Sequence, residues 1–296
     1  MATINASNLG SLQPEALALR HRARKLLAGF GWYVLLIAIA AVTVYPFLWV
    51  FFTSFKGASD PVYTVPPQLI PRAPTLANYL RVWNQLPIPN FFANSIIVAL
   101  ATVVFNLLVC SLAAYPLAKM QFKGRNAIFY LILATFAVPA QLTSIPSYVL
   151  AVNVFKYYDS ILALIFPSLA TAFNIFMLRQ AIMSVPNELI EAAKCDGASE
   201  LRIWWSVLLP VIRPTLATAA IFVFVNQWND FFWPSLMLHT RSHMTLQVGL
   251  VALQGMFASD ARGVAAGVTL TVIPILIFFV TLQKYFVHGL GGALKG

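Results

Sequence analysis

Asn226-Gln227-Trp228-Asn229-Asp230 is a run of hydrogen-bonding side chains inside an otherwise apolar stretch. Amides and a carboxylate suit solute hydroxyl groups, and Trp228 and Phe231 offer flat apolar faces for C–H surfaces. The chemistry on offer is recognition of a polyhydroxyl solute, not bond making. On a helix, Asn226 and Asp230 are four apart and Asn226 and Asn229 three apart, so they lie close in angle. Polar groups at membrane depth are costly and usually face a bundle interior or a water-filled path. Two readings stay open: contact with a transported solute, or hydrogen bonding to neighbouring helices with Asp230 near the membrane boundary. His239 and His243 are four apart, but a lone loop pair makes a weak metal site, and no metal is expected. No Gly-x-x-x-x-Gly-Lys-Ser/Thr phosphate loop, His-Glu-x-x-His or Gly-x-Ser-x-Gly occurs. The chain is therefore not expected to be an enzyme, to hydrolyse ATP or to hold a cofactor of its own.

The second informative stretch is the most charged one. Glu188, Glu191, Lys194, Asp196, Glu200 and Arg202 crowd between two apolar segments. Its physics predicts helix, turn, helix. Pro186 suits a first helical turn, and Glu188 and Glu191 suit the positive end of the helix dipole. Ala192 and Ala193 keep the helix thin enough for close approach by another body. Gly197 can take the left-handed conformation that ends a helix, and Ser199 can cap the next, with Glu200 in its first turn. Pro210 and Pro214 are expected to close the segment.

Glu191-Ala192-Ala193, Gly197, Val207, Leu209 and Pro210 occur at a spacing that resembles the cytoplasmic Glu-Ala-Ala loop of ABC importer permeases. Val207 stands where that family usually has isoleucine. Asp196-Gly197-Ala198, Leu178-Arg179-Gln180, Trp228-Asn229-Asp230-Phe231 and the Gly-Leu…Lys-Gly tail are similar to the maltose-type, carbohydrate-uptake branch. The resemblance implies an all-α fold of the type I importer permease kind, with six membrane helices and a cytoplasmic coupling loop. It implies that Glu191, Ala192, Ala193, Asp196, Gly197, Ala198, Leu209 and Pro210 couple this chain to an ATPase. It further implies a homologous second permease, two ABC ATPase subunits carrying ATP and Mg²⁺, and an extracytoplasmic solute-binding protein. The implied function is ATP-driven import of a sugar, polyol or glycoside. A non-sugar solute, or a stand-alone secondary transporter, is the alternative.

Composition agrees with a membrane location. The 296 residues are 60% hydrophobic and only 9% charged, against about 25% in soluble domains. The net charge of +10 is spread over the ends of apolar runs, which argues against nucleic acid and for lipid. Cys110 and Cys195 fall in different environments and predict no disulfide. A span needs about 20 apolar residues. Six segments qualify, at roughly 30–55, 92–117, 127–151, 160–180, 214–238 and 264–286. Residues 1–29 and 287–296 are left as polar tails and 181–213 as the charged loop. The tails, 118–126 and 181–213, with Arg179 and Lys284 at their edges, hold thirteen Lys and Arg, and the other connections six. The positive-inside rule then puts both termini and the charged loop in the cytoplasm, and the resemblance implies the bacterial inner membrane. Residues 56–91 are proline-rich and predict an irregular loop with one short helix near Leu76–Trp83.

Overall fold

At membrane depth no water satisfies the backbone, so an apolar chain of this composition must pair its amides internally, as helices. A computed structural model describes residues 12–66, 68–257 and 260–293, and they contain helices and no strand. In chain order the helices are α1 (Leu12–Ser54), α2 (Ala77–Gln85), α3 (Ile88–Lys119), α4 (Arg125–Phe136), α5 (Ala140–Val149), α6 (Leu162–Ile165) and α7 (Ala172–Met183). There follow α8 (Asn187–Cys195), α9 (Glu200–Ile203), α10 (Leu209–Val211), α11 (Arg213–Asn229), α12 (Phe232–Met237), α13 (Leu246–Met256) and α14 (Ala261–Ala293). A π-helical turn extends α5 to Val154, and another joins α9 to α10.

The six apolar segments are not six uninterrupted helices. Gly31–Ser54 of α1 and Ile88–Lys119 of α3 are each long and apolar enough to cross a bilayer. The third segment is broken: Arg125–Phe136 and Gln141–Val154 meet at 104°. Pro139 stands at that break with extended backbone, and its ring disfavours helix in the residue before it. The fourth is bent by 45° between Leu162–Ser168 and Ala172–Met183. The fifth stops at Asn229, and residues 232–237 form a separate short helix. Helix also covers much of the segments expected as tails. Residues 12–29 are the first turns of α1, and α14 continues to Ala293. Residues 1–11 and 294–296 lie outside the described residues.

α3, α7 and α11 pack on one another, and α14 packs on α1, α2, α11 and α13. Two main cores follow. One, at the charged-loop end, gathers Leu178 and Ile182 of α7, Ala114 and Tyr115 of α3, and Ile190, Ile203 and Leu208 of the loop. The other, at the opposite end, gathers Val82, Phe91, Phe224, Trp228, Leu246 and Leu253. Much of α1 is apolar and exposed, as suits a lipid-facing surface.

The opposite end is tied by polar side chains. The expected short helix there is α2. Buried Lys56 donates to the carbonyls of Pro61 (3.1 Å) and Gln68 (2.6 Å), and Arg81 pairs with Asp260 at 2.5 Å. Asp159, at a left-handed φ of 53°, accepts from the amides of His239 (2.8 Å) and Thr240 (3.0 Å) and from the Thr240 hydroxyl (2.5 Å). Burial raises its affinity for a proton. The Thr240 hydroxyl, the two amides and nearby His243 outweigh that and hold the carboxyl well below the usual range. A depressed folded-state value means stability that is full above the ordinary carboxylate pKa and lost only as pH falls well below it. The clasp is therefore intact at every pH near neutrality. Asp159→Ala is expected to speed hydrogen exchange of the His239 and Thr240 amides by about tenfold, from loss of bonds worth about 1 kcal/mol each. Exchange measured by mass spectrometry over 238–245 checks it.

Candidate functional site

The charged loop folds as its local sequence dictates. Pro186 stands at the N-cap position of α8, just before the first turn expected for it and with no capping bond, and Glu188 sits in that first turn. The helix ends in a Schellman arrangement: Gly197 N–H bonds the Lys194 carbonyl and Ala198 N–H the Ala193 carbonyl, both at 3.0 Å. Gly197 has φ +76°, as that turn requires. The Ser199 hydroxyl accepts from the Arg202 amide at 3.4 Å and caps α9. Pro210 does not end the segment. The helix runs from Glu200 to Val211 and then turns through 84° into α11. A proline ring crowds the carbonyl four residues back, and the π turn over Trp204–Leu208 opens the helix where that carbonyl lies.

The loop has two faces. Ile190, Ile203, Trp204 and Leu208 are buried in the loop-end core, with Ala193, Ala198, Val207 and Leu209 packed against them. Glu191, Ala192, Asp196, Gly197 and Pro210 are exposed. Beside them Leu201 and Trp205 are 64% and 60% exposed, large apolar groups on a charged surface.

Two contacts that the local sequence does not announce tie this loop to α3, and a third ties α7 to α3 and α4. The Tyr115 hydroxyl of α3 donates to Glu200, whose other oxygen meets Lys194 at 2.8 Å. The Lys194 bond, then the Tyr115 bond, hold the Glu200 carboxyl below its usual pKa. Lys119, the last residue of α3, donates to the Val185 carbonyl (2.5 Å) and to Asn187 Oδ1 (2.7 Å). Arg179 Nε donates to the Leu117 carbonyl at 3.0 Å, and its guanidinium sits 3.9 Å from the Phe129 ring centre. Lys119→Ala is expected to lower the melting midpoint in detergent by several degrees, since hydrogen bonds to a charged group are worth about 1.5–3 kcal/mol. Thermal unfolding followed by circular dichroism measures it.

The polar run of α11 divides. Trp228 is 2% exposed and stacks on Phe224 at 5.6 Å, so its ring belongs to the core. Asn229 Nδ2 bonds the Val225 carbonyl of its own helix at 2.9 Å. Asp230 is not on the helix face with Asn226: its backbone is extended, and its carboxylate accepts from the Trp233 amide at 3.3 Å, starting α12. Asn226 and Gln227 alone of the five line a cleft of about 470 Å³ where α3, α7 and α11 meet. Thr102 and Asn106 of α3 and Phe173 and Asn174 of α7 line it too. Asn106 is a junction: it accepts from Asn174 Nδ2 (2.7 Å) and donates to the Ser168 carbonyl (2.7 Å). His239 and His243 do separate work. The first stacks on Tyr158, and the second lies 3.3 Å from Asp159.

The chain as a whole has counterparts among known proteins. Residues 107–291 match the family described as binding-protein-dependent transport system inner membrane component. The chain belongs to that family. Among curated relatives of this permease, the arabinooligosaccharides transport system permease protein AraQ of Halalkalibacterium halodurans is 31% identical over 87% of this chain and 93% of its own. The sn-glycerol-3-phosphate transport system permease protein UgpE of Shigella flexneri is 30% identical over 87% and 94%. Among solved structures, a bacterial ABC transporter importing the acidic polysaccharide alginate has a chain of 26% identity, aligned over 88% of the permease and 96% of that chain with a TM-score of 0.79. The fold is thus that of ABC importer permeases, and the chain is a permease component of such a transport system.

Proposed function

We propose that this permease is half of the translocation path of an ATP-driven importer for a sugar, polyol or glycoside, and that residues 187–211 couple it to an ATPase. One observation carries the reading: the loop's two ends are the cleft's two walls. α7 leads through residues 184–186 into α8, and the helix from Glu200 to Val211 turns directly into α11. A push on the exposed face of Glu191, Ala192, Gly197, Leu201 and Trp205 therefore reaches α7 and α11 as rigid bodies. Tyr115 and Lys119 carry the same displacement into α3. Movement of these three helices changes the cleft, which is what alternating access needs. Carbohydrate relatives and the sugar-branch motifs support the cargo class.

The partners in this reading are a homologous second permease, two ABC ATPase subunits that bind ATP and Mg²⁺, and an external solute-binding protein. The excess of Lys and Arg supports cytoplasmic termini and a cytoplasmic loop. Cross-linking tests the coupling surface. Ala192→Cys in the assembled complex is expected to form an adduct with an ATPase subunit, and the adduct's yield is expected to change with ATP. Labelling by water-soluble reagent alone, with no ATPase adduct in either nucleotide state, would sink the reading.

A further inference from the structure

We propose that the α3–α7–α11 cleft is a binding subsite for an uncharged saccharide. The inference rests on the importer reading and adds where this subunit touches its cargo and which charge class it takes. The volume of about 470 Å³ falls within the range of small-molecule sites, about 300–1,000 Å³. Two wall side chains have polar atoms without a partner among the described residues. They are the Thr102 hydroxyl, on a residue 1% exposed, and Asn174 Oδ1, on a residue 2% exposed. Burying such an atom unpaired costs about 1–3 kcal/mol, so a turn of either side chain toward a ligand hydroxyl in the cleft gains by more than an ordinary exchange with water. Asn226 and Gln227 add amides from the facing helix.

Aromatic faces stand beside these groups. Phe173 meets Phe222 edge to face at 5.5 Å and Phe136 in a stack at 6.5 Å, and all three rings line the cleft and are partly exposed. A pyranose or furanose ring has this duality, with hydroxyls at its rim and C–H groups on its faces. None of the cleft's lining residues is charged. A phosphate or carboxylate brought here would lose its hydration with no cation to meet it, which is a heavy penalty in a medium of low dielectric. The wall therefore selects neutral sugars over the anionic ones that some relatives handle.

The test uses the whole transporter in proteoliposomes with its binding protein, and lactose, arabinobiose and sn-glycerol 3-phosphate as probes. A neutral probe is expected to enter with ATP. Asn174→Leu and Phe173→Ala are expected to raise its KM about tenfold each. A second measurement does not depend on how those variants fold. Cys110 is buried and Cys195 exposed, so Asn226→Cys in a Cys195→Ser background gives one accessible thiol at the cleft. Its maleimide labelling is expected to slow several-fold with the neutral probe and not with sn-glycerol 3-phosphate. Uptake of the anionic probe alone overturns the charge argument while leaving the importer intact. Unchanged KM and unprotected labelling, with normal uptake of a neutral probe, overturn the site. Absence of all ATP-dependent uptake removes the importer reading, and this proposal with it.

Discussion

Gly197→Val is expected to uncouple transport from ATP hydrolysis while leaving membrane insertion normal. At φ +76° any L side chain is disfavoured, by about 1–2 kcal/mol, and a β-branched one more. No atom lies within 4 Å of where a Cβ would stand, so crowding contributes nothing and backbone strain is the whole effect. The cheapest relief is to unwind the Gly197–Lys194 and Ala198–Ala193 bonds that end α8. That changes the angle between α8 and α9, the two bodies that present Glu191 and Leu201. Sugar uptake is expected to fall by more than about tenfold, while ATP hydrolysis by the complex continues. Gly197→Asn, which tolerates the left-handed region, is expected to keep most of the uptake. Both are measured in proteoliposomes alongside the amount of permease in the membrane. Normal uptake by Gly197→Val would remove the coupling role from this turn.

The second large effect is on stability. Arg179 is 9% exposed, and its charge meets the Phe129 face and the Leu117 carbonyl, with no carboxylate partner among the described residues. A desolvated cation–π contact is worth about 2 kcal/mol, and a hydrogen bond from a charged donor about 1.5–3 kcal/mol. These contacts hold α7 against α3 and α4. Arg179→Ala is expected to lose about 3 kcal/mol and several degrees of melting midpoint in detergent. Arg179→Lys keeps the charge but loses the planar stack and is expected to fall between. An alanine variant that melts with the parent would show that the junction is held by packing alone.

Local chemistry was readable and long-range chemistry was not. Pro186, Gly197 and Ser199 act on backbone within a few residues of themselves, so the helix–turn–helix of the loop follows from their order. The α2 helix inside a proline-rich loop was legible for the same reason. Hydropathy located the apolar segments but not their breaks, because a window average cannot see that Pro139 and Asp230 leave the helix. Asp230 illustrates why: helical spacing put it on a face with Asn226, yet its carboxylate gains more by starting α12. Tyr115 and Glu200 are 85 residues apart, and Asn106 and Asn174 are 68 apart. No periodicity links such pairs. Asn106 is the one amide in the middle of its span, and that was the only signal that could have drawn attention to it.

The most direct test of the central claim is to solubilise this permease from its native membrane in mild detergent, capture it, and follow ATPase activity as binding protein and candidate sugars are added. The expected result is co-purification of an ABC ATPase and a second permease, with one sugar and its binding protein raising turnover. A chain that emerges alone and moves solute in ATP-free liposomes would contradict the account, because the exposed face of residues 187–211 would then have nothing to couple to.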